Sequence, residues 1–361
     1  MIDKTAVKKA EERQAKLAKP PGSLGRLEEI SVRLAGITGQ ISTVIKDPCV
    51  VIMCSDNGVV DEGVASAPQS VTMAQTVNFT MKKTGVGALA RQFGTDMMII
   101  DTGINGKIPG ELSASEYTRQ PAGARGRIID RKIAMGTDNI ACGPAMTREQ
   151  ALKAVGIGIE AAGTAAAQGY DIIGAGEMGI GNTTTGSAVL SALTGLPAGI
   201  TAGRGGGIND RSYLRKKEIV DNAVSGRKFE DVPDILACVG GFDIAAMAGL
   251  FIGAAEQRIP AVIDGYISAV AALAAFEMEP GCRDYMFASH RSAEAAYDHV
   301  MDSLGLTPLL DLGMRLGEGS GCVLAFEIIK GACGVMEYMA TFDEARIDDS
   351  YLEEIRKGGC F

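Results

Sequence analysis

The chain has 361 residues, 46% of them hydrophobic and 22% charged, with a net charge of -9 at pH 7. That size and apolar content fit one large α/β body with a sizeable core and room for a smaller appended domain. The acidic balance, with no dense Lys/Arg patch interleaved with aromatics, excludes a nucleic-acid surface, because phosphate neutralisation supplies most of that affinity. Small-molecule partners fit better. Eight cysteines without a C-x-x-C pair, and only His290 and His299 as imidazoles, argue against structural zinc, so the thiols read as reduced and mostly buried. The N-terminus leads into a charged helix, and no apolar run reaches about 18 residues without Gly, Pro or charge. A cytoplasmic protein without a membrane segment is expected.

In chain order, helical spacing runs from Thr5 to Ala18 and should stop before Lys19-Pro20-Pro21-Gly22, since proline disfavours αR in the residue ahead of it. Ser23 to Glu29 opens a second amphipathic helix. Cys49 to Cys54 is a continuous apolar run, suited to a strand buried on both faces, and it ends in Ser55-Asp56-Asn57-Gly58. Function gathers at such carboxyl ends, although Asp56 and Asn57 read equally well as turn residues holding their own backbone. Glu62 to Thr72 looks like an active-site loop. A helix follows through Gln75, Asn78 and Phe79, then a strand at Asp96 to Ile100. Lys107 to Asp130 is expected to be a long loop or strand excursion with little chemistry, and Thr147 should cap a helix running from Glu149 to Gln168.

The strand-like Tyr170 to Ile173 then feeds a glycine-rich stretch from Gly174 to Gly186, which reads as a turn opening a helix, where exposed N–H groups can take an anion. Gly174, Gly176 and Gly179 match the dinucleotide fingerprint. However, Glu177 sits inside the stretch, and no acid lies about 20 residues on to meet a ribose. A second cluster, Gly203-Arg204-Gly205-Gly206-Gly207, precedes a helix carrying Arg215, Lys216 and Lys217; a lysine there would complete an anion site. Further strand-then-helix units are expected at Asp234 to Val239, Pro260 to Gly265 and Tyr285 to Ala288. About six such alternations predict a doubly wound, mostly parallel sheet with helices on both faces. The helical ends, 1–40 and 335–361, should form a small helical domain or cap on an α/β domain spanning 41–334.

In Leu316-Gly317-Glu318-Gly319, a glutamate stands between two glycines, so its carboxylate can approach a ligand closely enough for general-base work; equally, it could sit ahead of the next helix to favour its dipole. A Ser-His-Asp triad is disfavoured: His299 reads as surface, and His290 sits at a strand end. Asp56, Asp101, Asp243 and Asp264 leave a magnesium site open by spacing alone. Group transfer on a phosphorylated sugar uses all the parts: glycine loops and a lysine for phosphate, and a carboxylate at the reacting carbon.

Four motifs, taken in order along nearly the whole chain, carry a resemblance: Lys19 to Glu28, Gly176 to Thr184, Ala288 to Glu294 and Leu316 to Gly319. The chain resembles the nicotinate-nucleotide–dimethylbenzimidazole phosphoribosyltransferase (CobT) family. That resemblance implies transfer of ribose phosphate from nicotinate mononucleotide to an aromatic lower-ligand base such as 5,6-dimethylbenzimidazole, by a homodimer without a metal or redox cofactor. It implies Glu318 as general base and Glu177 beside the ribose and nicotinate. It also places Gly176, Gly179, Asn182, Thr183, Gly203, Gly205, Gly206, Lys216, Ser292 and Gly317 on the nucleotide, and Ser66, Gln75 and Leu316 around the base. Family members usually carry histidine where this chain has Asn57, so Asp56 and Asn57 join the expected base-binding set, and a phenolic or purine lower ligand stays open. A non-catalytic nucleotide-binding homologue is the other class considered, though both reacting carboxylates are present.

Overall fold

The computed structural model describes residues 1–120 and 124–352; Cys360 and the last part of the expected C-terminal helical segment, 353–361, lie outside the described residues. The strands are β1 (Pro48–Ser55), β2 (Asp96–Gly103), β3 (Ser113–Ala114), β4 (Ile128–Asp130), β5 (Ile172–Met178), β6 (Ala261–Ile263) and β7 (Met286–Ala288). They form one sheet in the order β3-β4-β2-β1-β5-β6-β7, parallel at every pairing.

All eight residues of β1 are buried, which is why it reads as an unbroken apolar run. Its alternate side chains divide between two layers. Cys49, Val51 and Met53 face a core shared with the helices Arg148–Ala167, Phe242–Glu256 and Tyr266–Met278, while Val50, Ile52 and Cys54 face one shared with Arg26–Thr38 and Ser320–Tyr338. The sheet is therefore doubly wound. Strand order reverses between β1 and β5, and in open α/β sheets that switch point opens a crevice beyond the strand ends. The first helices meet the region around 336–341: Leu17 bridges to Thr341, and Ala10, Leu17, Ala35 and Met336 form a small cluster.

The structure differs from the sequence reading in three places. Residues 234–239 are not a strand; Val232–Val239 is a helix, capped by the Asp231 side chain accepting from the Asp234 N–H and carrying Pro233 in its first turn. A short apolar run does not distinguish a buried strand from a buried helix, and here the cap decides. β5 runs on to Met178, so Gly174 and Gly176 lie within the strand and the turn begins only at Gly179. The glycines serve close packing: a Cβ at Gly174 would lie 2.5 Å from that of Cys322, and one at Gly176 would collide with the Glu318 carbonyl. The stretch between 107 and 130 supplies β3 and β4, which raises the sheet to seven strands.

Gly158 and Gly249 let the helices Arg148–Ala167 and Phe242–Glu256 touch backbone to backbone. A Cβ on Gly249 would strike the Val155 carbonyl, and one on Gly158 the Ala246 carbonyl. Gly249→Ala is therefore expected to destabilise the fold by about 1–3 kcal/mol, the usual cost of overpacking, read as a lower urea midpoint; an unchanged midpoint would show that these helices separate freely.

Candidate active site

Beyond the β1/β5 switch point lies a cleft of about 310 Å³, lined by the end of β5, the glycine loops, the 64–66 loop and the 315–318 turn. Gly317, Glu318 and Gly319 are consecutive left-handed residues, with φ of 86°, 64° and 88°. Glycine takes that conformation freely, but for a glutamate it costs roughly 1–2 kcal/mol. Strain of this kind persists only where the surroundings impose it. Here the Glu318 carbonyl packs on Gly176, and a Cβ at Gly317 would collide with Glu177 Oε1.

The Glu318 side chain, 5% exposed, is fixed at both oxygens: Oε1 accepts from Gln75 Nε2 at 2.9 Å and Oε2 from the Val86 N–H at 3.0 Å. Asn78 Nδ2 in turn donates to Gln75 Oε1 at 3.3 Å. The carboxylate is aimed by a relay of amides. Its own N–H lies 3.4 Å from Glu177 Oε1, so the two acids share one wall.

Glu177 belongs to a buried acidic group. The Asn182 amide donates to Glu177 Oε2 at 2.5 Å and to Asp243 Oδ2 at 2.9 Å, bridging two carboxyls. Burial, reinforced by Asp243 and Asp264, pushes the Glu177 carboxyl up to about 8. Burial raises Asp243 and Asp264 to about 6 as well. An acid-rich floor favours positive charge developing above it.

The part of the cleft lined by Thr183 and the Gly205–Gly206 loop suits an anion. Lys216 is fully buried, and its Nζ donates to Thr183 Oγ1 at 2.8 Å, its one hydrogen bond among the described residues; desolvation pushes the ammonium down to about 8. An ammonium carries three donors, so it keeps capacity for a phosphate. Gly205 and Gly206 approach so closely that Cβ atoms there would lie 2.9 Å from Thr183 Oγ1 and 2.7 Å from Ser66 Oγ. The Ser292 hydroxyl accepts from the Glu294 N–H at 3.3 Å, and Glu294 Oε2 lies 3.4 Å from the Gly205 N–H.

Of the residues expected from sequence, Ser66, Gln75, Glu177, Gly179, Asn182, Thr183, Gly205, Gly206, Ser292, Leu316, Gly317 and Glu318 line the cleft. Gly176, Gly203 and Lys216 stand behind its wall: Gly176 supports Glu318, Gly203 abuts Glu294, and Lys216 reaches Thr183. Asp56 and Asn57 are misplaced by the sequence reading. Both are buried, Asn57 under the glycine loop and Asp56 against Asn105 and Gly136; Asp56 Oδ2 accepts from the Asn105 N–H at 2.7 Å, and Asn57 Oδ1 accepts from Thr185 Oγ1 at 3.1 Å. The strand turns beneath the loop before reaching the cleft, so position 57 supports Gly179 and Gly181 and does not line the cleft. Sequence reasoning missed Arg204, Asp264, Glu294 and Arg315 as cleft residues. Asp264 and Glu294 carried a signal, one as a strand-end acid and the other at the end of the Ser289–Glu294 motif. Among the described residues no cluster of three or more His, Cys, Asp or Glu is arranged to hold a metal ion.

A cleft with an anion seat at one end and an aimed carboxylate at the other, over a floor that favours cations, defines an enzyme transferring a phosphorylated sugar. A family model described as phosphoribosyltransferase matches residues 1–347. The nicotinate-nucleotide–dimethylbenzimidazole phosphoribosyltransferase of Clostridium perfringens is 50% identical, with the alignment covering 100% of this chain and 96% of that one. Its counterpart in Ruminiclostridium cellulolyticum is 47% identical over 95% of this chain and 94% of its own length. The crystal structure of CobT from Thermus thermophilus superposes with a TM-score of 0.89 at 37% identity, covering 96% of this chain and 100% of that one. The chain belongs to the nicotinate-nucleotide–dimethylbenzimidazole phosphoribosyltransferase family.

The Glu177 environment sets a pH test. An unfolded glutamate loses its proton near pH 4.3, whereas folded Glu177 keeps it to about 8. Between those values the native state binds more protons than the unfolded one, so this group makes stability fall as pH rises. Glu177→Gln is expected to raise the melting temperature relative to wild type at pH 8, with the gain fading by pH 5; an equal shift at both pH values would refute the raised carboxyl.

Proposed function

We infer that this enzyme moves ribose 5-phosphate from nicotinate mononucleotide to 5,6-dimethylbenzimidazole or a related lower-ligand base, releasing nicotinate and the α-riboside phosphate used in the cobamide nucleotide loop. The observation carrying this reading is the meeting of Glu318 and Glu177 on one wall of a cleft that Thr183 and the Gly205–Gly206 loop also line, with Lys216 behind Thr183. Phosphate on Lys216, Thr183 and the Gly205–Gly206 loop would lay the ribose over Glu177. The aromatic base would enter between Ser66, Gln75 and Leu316 and present its N–H to Glu318.

In the transfer, the bond from C1′ to the pyridinium nitrogen breaks and its electron pair stays with nicotinate. The base nitrogen's lone pair forms the new C1′ bond, and the base N–H proton passes to Glu318. Positive charge growing on the ribose is stabilised by the acidic floor, and holding two substrates in line supplies much of the rate. A substrate that brings positive charge to Glu177 favours its ionised form, so binding draws that carboxyl to the charged state the step needs. Asn57 lies beneath the loop and does not itself face the base.

The same reading carries a homodimer in the cytoplasm, and the Leu17–Thr341 bridge supports treating the chain ends as one small helical unit. No described helix is long and apolar enough to cross a membrane.

Glu318→Gln is expected to bind the nucleotide normally and lose more than about a hundredfold in turnover, the range for losing general-base catalysis; near-normal nicotinate release would remove Glu318 from the role. Lys216→Met should weaken nucleotide binding by about tenfold or more, as expected for a lost charge-assisted hydrogen bond, measured by calorimetry. Competition among benzimidazoles, purines and phenols, followed by chromatography of the riboside products, is expected to favour 5,6-dimethylbenzimidazole.

A further inference from the structure

The peptide joining Glu318 to Gly319 is gripped from two sides. Its carbonyl packs on Gly176, and its N–H donates to Asp264 Oδ2 at 3.0 Å. The other oxygen of Asp264, Oδ1, accepts from the Gly321 N–H at 2.6 Å. Both amides belong to the start of the helix Ser320–Tyr338, whose N-cap is Gly319 and which has no side-chain cap of its own. A carboxylate from the end of a neighbouring strand thus satisfies donors that the helix leaves open.

Asp264 is itself immobilised. It is 2% exposed at the end of β6, its N–H donates to Ser268 Oγ at 3.1 Å, and its carbonyl accepts from Ser289 Oγ at 2.9 Å. His290 Nε2 lies 3.7 Å from Oδ1. The plane of the Glu318–Gly319 peptide fixes ψ of Glu318, the residue held in the left-handed region. If the N–H were released, that peptide would be free to rotate, and the Glu318 carboxylate would turn away from Gln75 and Val86.

We propose that Asp264 is a positioning residue for the transfer reaction: its carboxylate, strapped across Gly319 and Gly321, holds Glu318 in the backbone conformation that aims it at the incoming base. The proposal rests on the reading of Glu318 as general base. A capping role alone would affect stability and leave the kinetic constants untouched, a direct substrate contact would act on KM, and loss of the floor's charge alone would lower kcat in Asp264→Asn but not in Ser268→Ala, which keeps the Asp264 carboxylate.

Asp264→Asn keeps the shape but places an amide NH₂ where one of the two N–H groups needs an acceptor. With nicotinate mononucleotide and 5,6-dimethylbenzimidazole as substrates and nicotinate release as readout, this variant is expected to lose about ten- to hundredfold in kcat, the cost of a misplaced catalytic group. KM for both substrates should stay within about threefold, in a protein whose circular dichroism matches wild type. A kcat within threefold of wild type overturns the proposal, as does a rise in nucleotide KM as large as the fall in kcat. Whether or not Asp264→Asn folds, Ser268→Ala loosens the Asp264 backbone while keeping its carboxylate and must give a smaller loss confined to kcat; an unchanged kcat there overturns the proposal too. Glu318→Gln, assayed alongside, separates the two ideas. An active Glu318→Gln sinks the general-base reading, while an inactive Glu318→Gln beside a fully active Asp264→Asn sinks only the positioning role.

Discussion

The site depends on one close approach: the turn Gly317–Glu318–Gly319 lying directly on β5 at Gly176 and Glu177. Backbone meets backbone there because Gly176 has no side chain, and Gly317 and Gly319 can take the left-handed conformation without penalty. Glu318 is the one residue of the three that is strained, and it is the one whose carboxylate borders the cleft. The parallel sheet makes the contact possible, since β5 and β6 run side by side and deliver Glu177 and Asp264 to the same edge. Local strain, tertiary packing and the placement of two acids are thus parts of a single arrangement.

Charge is distributed to match. Glu177, Asp243 and Asp264 sit in a buried layer where burial and their neighbours raise the cost of ionisation, while the Lys216 ammonium, behind Thr183, is desolvated and only partly offset by Glu294. A substrate with a phosphate at one end and a cationic ring bond at the other relieves both costs when it binds. The free enzyme is electrostatically unfavourable in the two places that such a molecule would neutralise, a form of preorganisation that acts in the reaction as well as in binding.

Much of this is legible in the sequence, for identifiable reasons. The apolar run of β1, the Thr147 cap with its partner Gln150, and the glycine loops carry local signals that tertiary structure has no cause to override. Asp234 to Val239 reads as a strand because so short an apolar run has no period long enough to separate helix from strand, and the deciding Asp231 cap is a single side chain. The glycines at 174 and 176 read as turn formers when their role is to admit Cys322 and Glu318, partners about 140 residues away in sequence that no local pattern reveals. Asp56 and Asn57 stand at the expected strand end, but Asn57 lies beneath the glycine loop and Asp56 against Asn105 and Gly136. The positions that need three-dimensional structure are those whose meaning lies in a distant neighbour.

The central claim is that the two carboxylates meet at one anomeric carbon between an anion seat and a base pocket. A crystal structure of the Glu318→Gln variant, trapped with nicotinate mononucleotide and 5,6-dimethylbenzimidazole, tests it most directly. The account predicts phosphate at Thr183 and the Gly205–Gly206 loop in front of Lys216, ribose above Glu177, one base nitrogen about 3–3.5 Å from C1′, and the N–H of the other ring nitrogen turned towards residue 318. Phosphate bound away from Lys216, or a base stacked where residue 318 does not face its nitrogen, would contradict it.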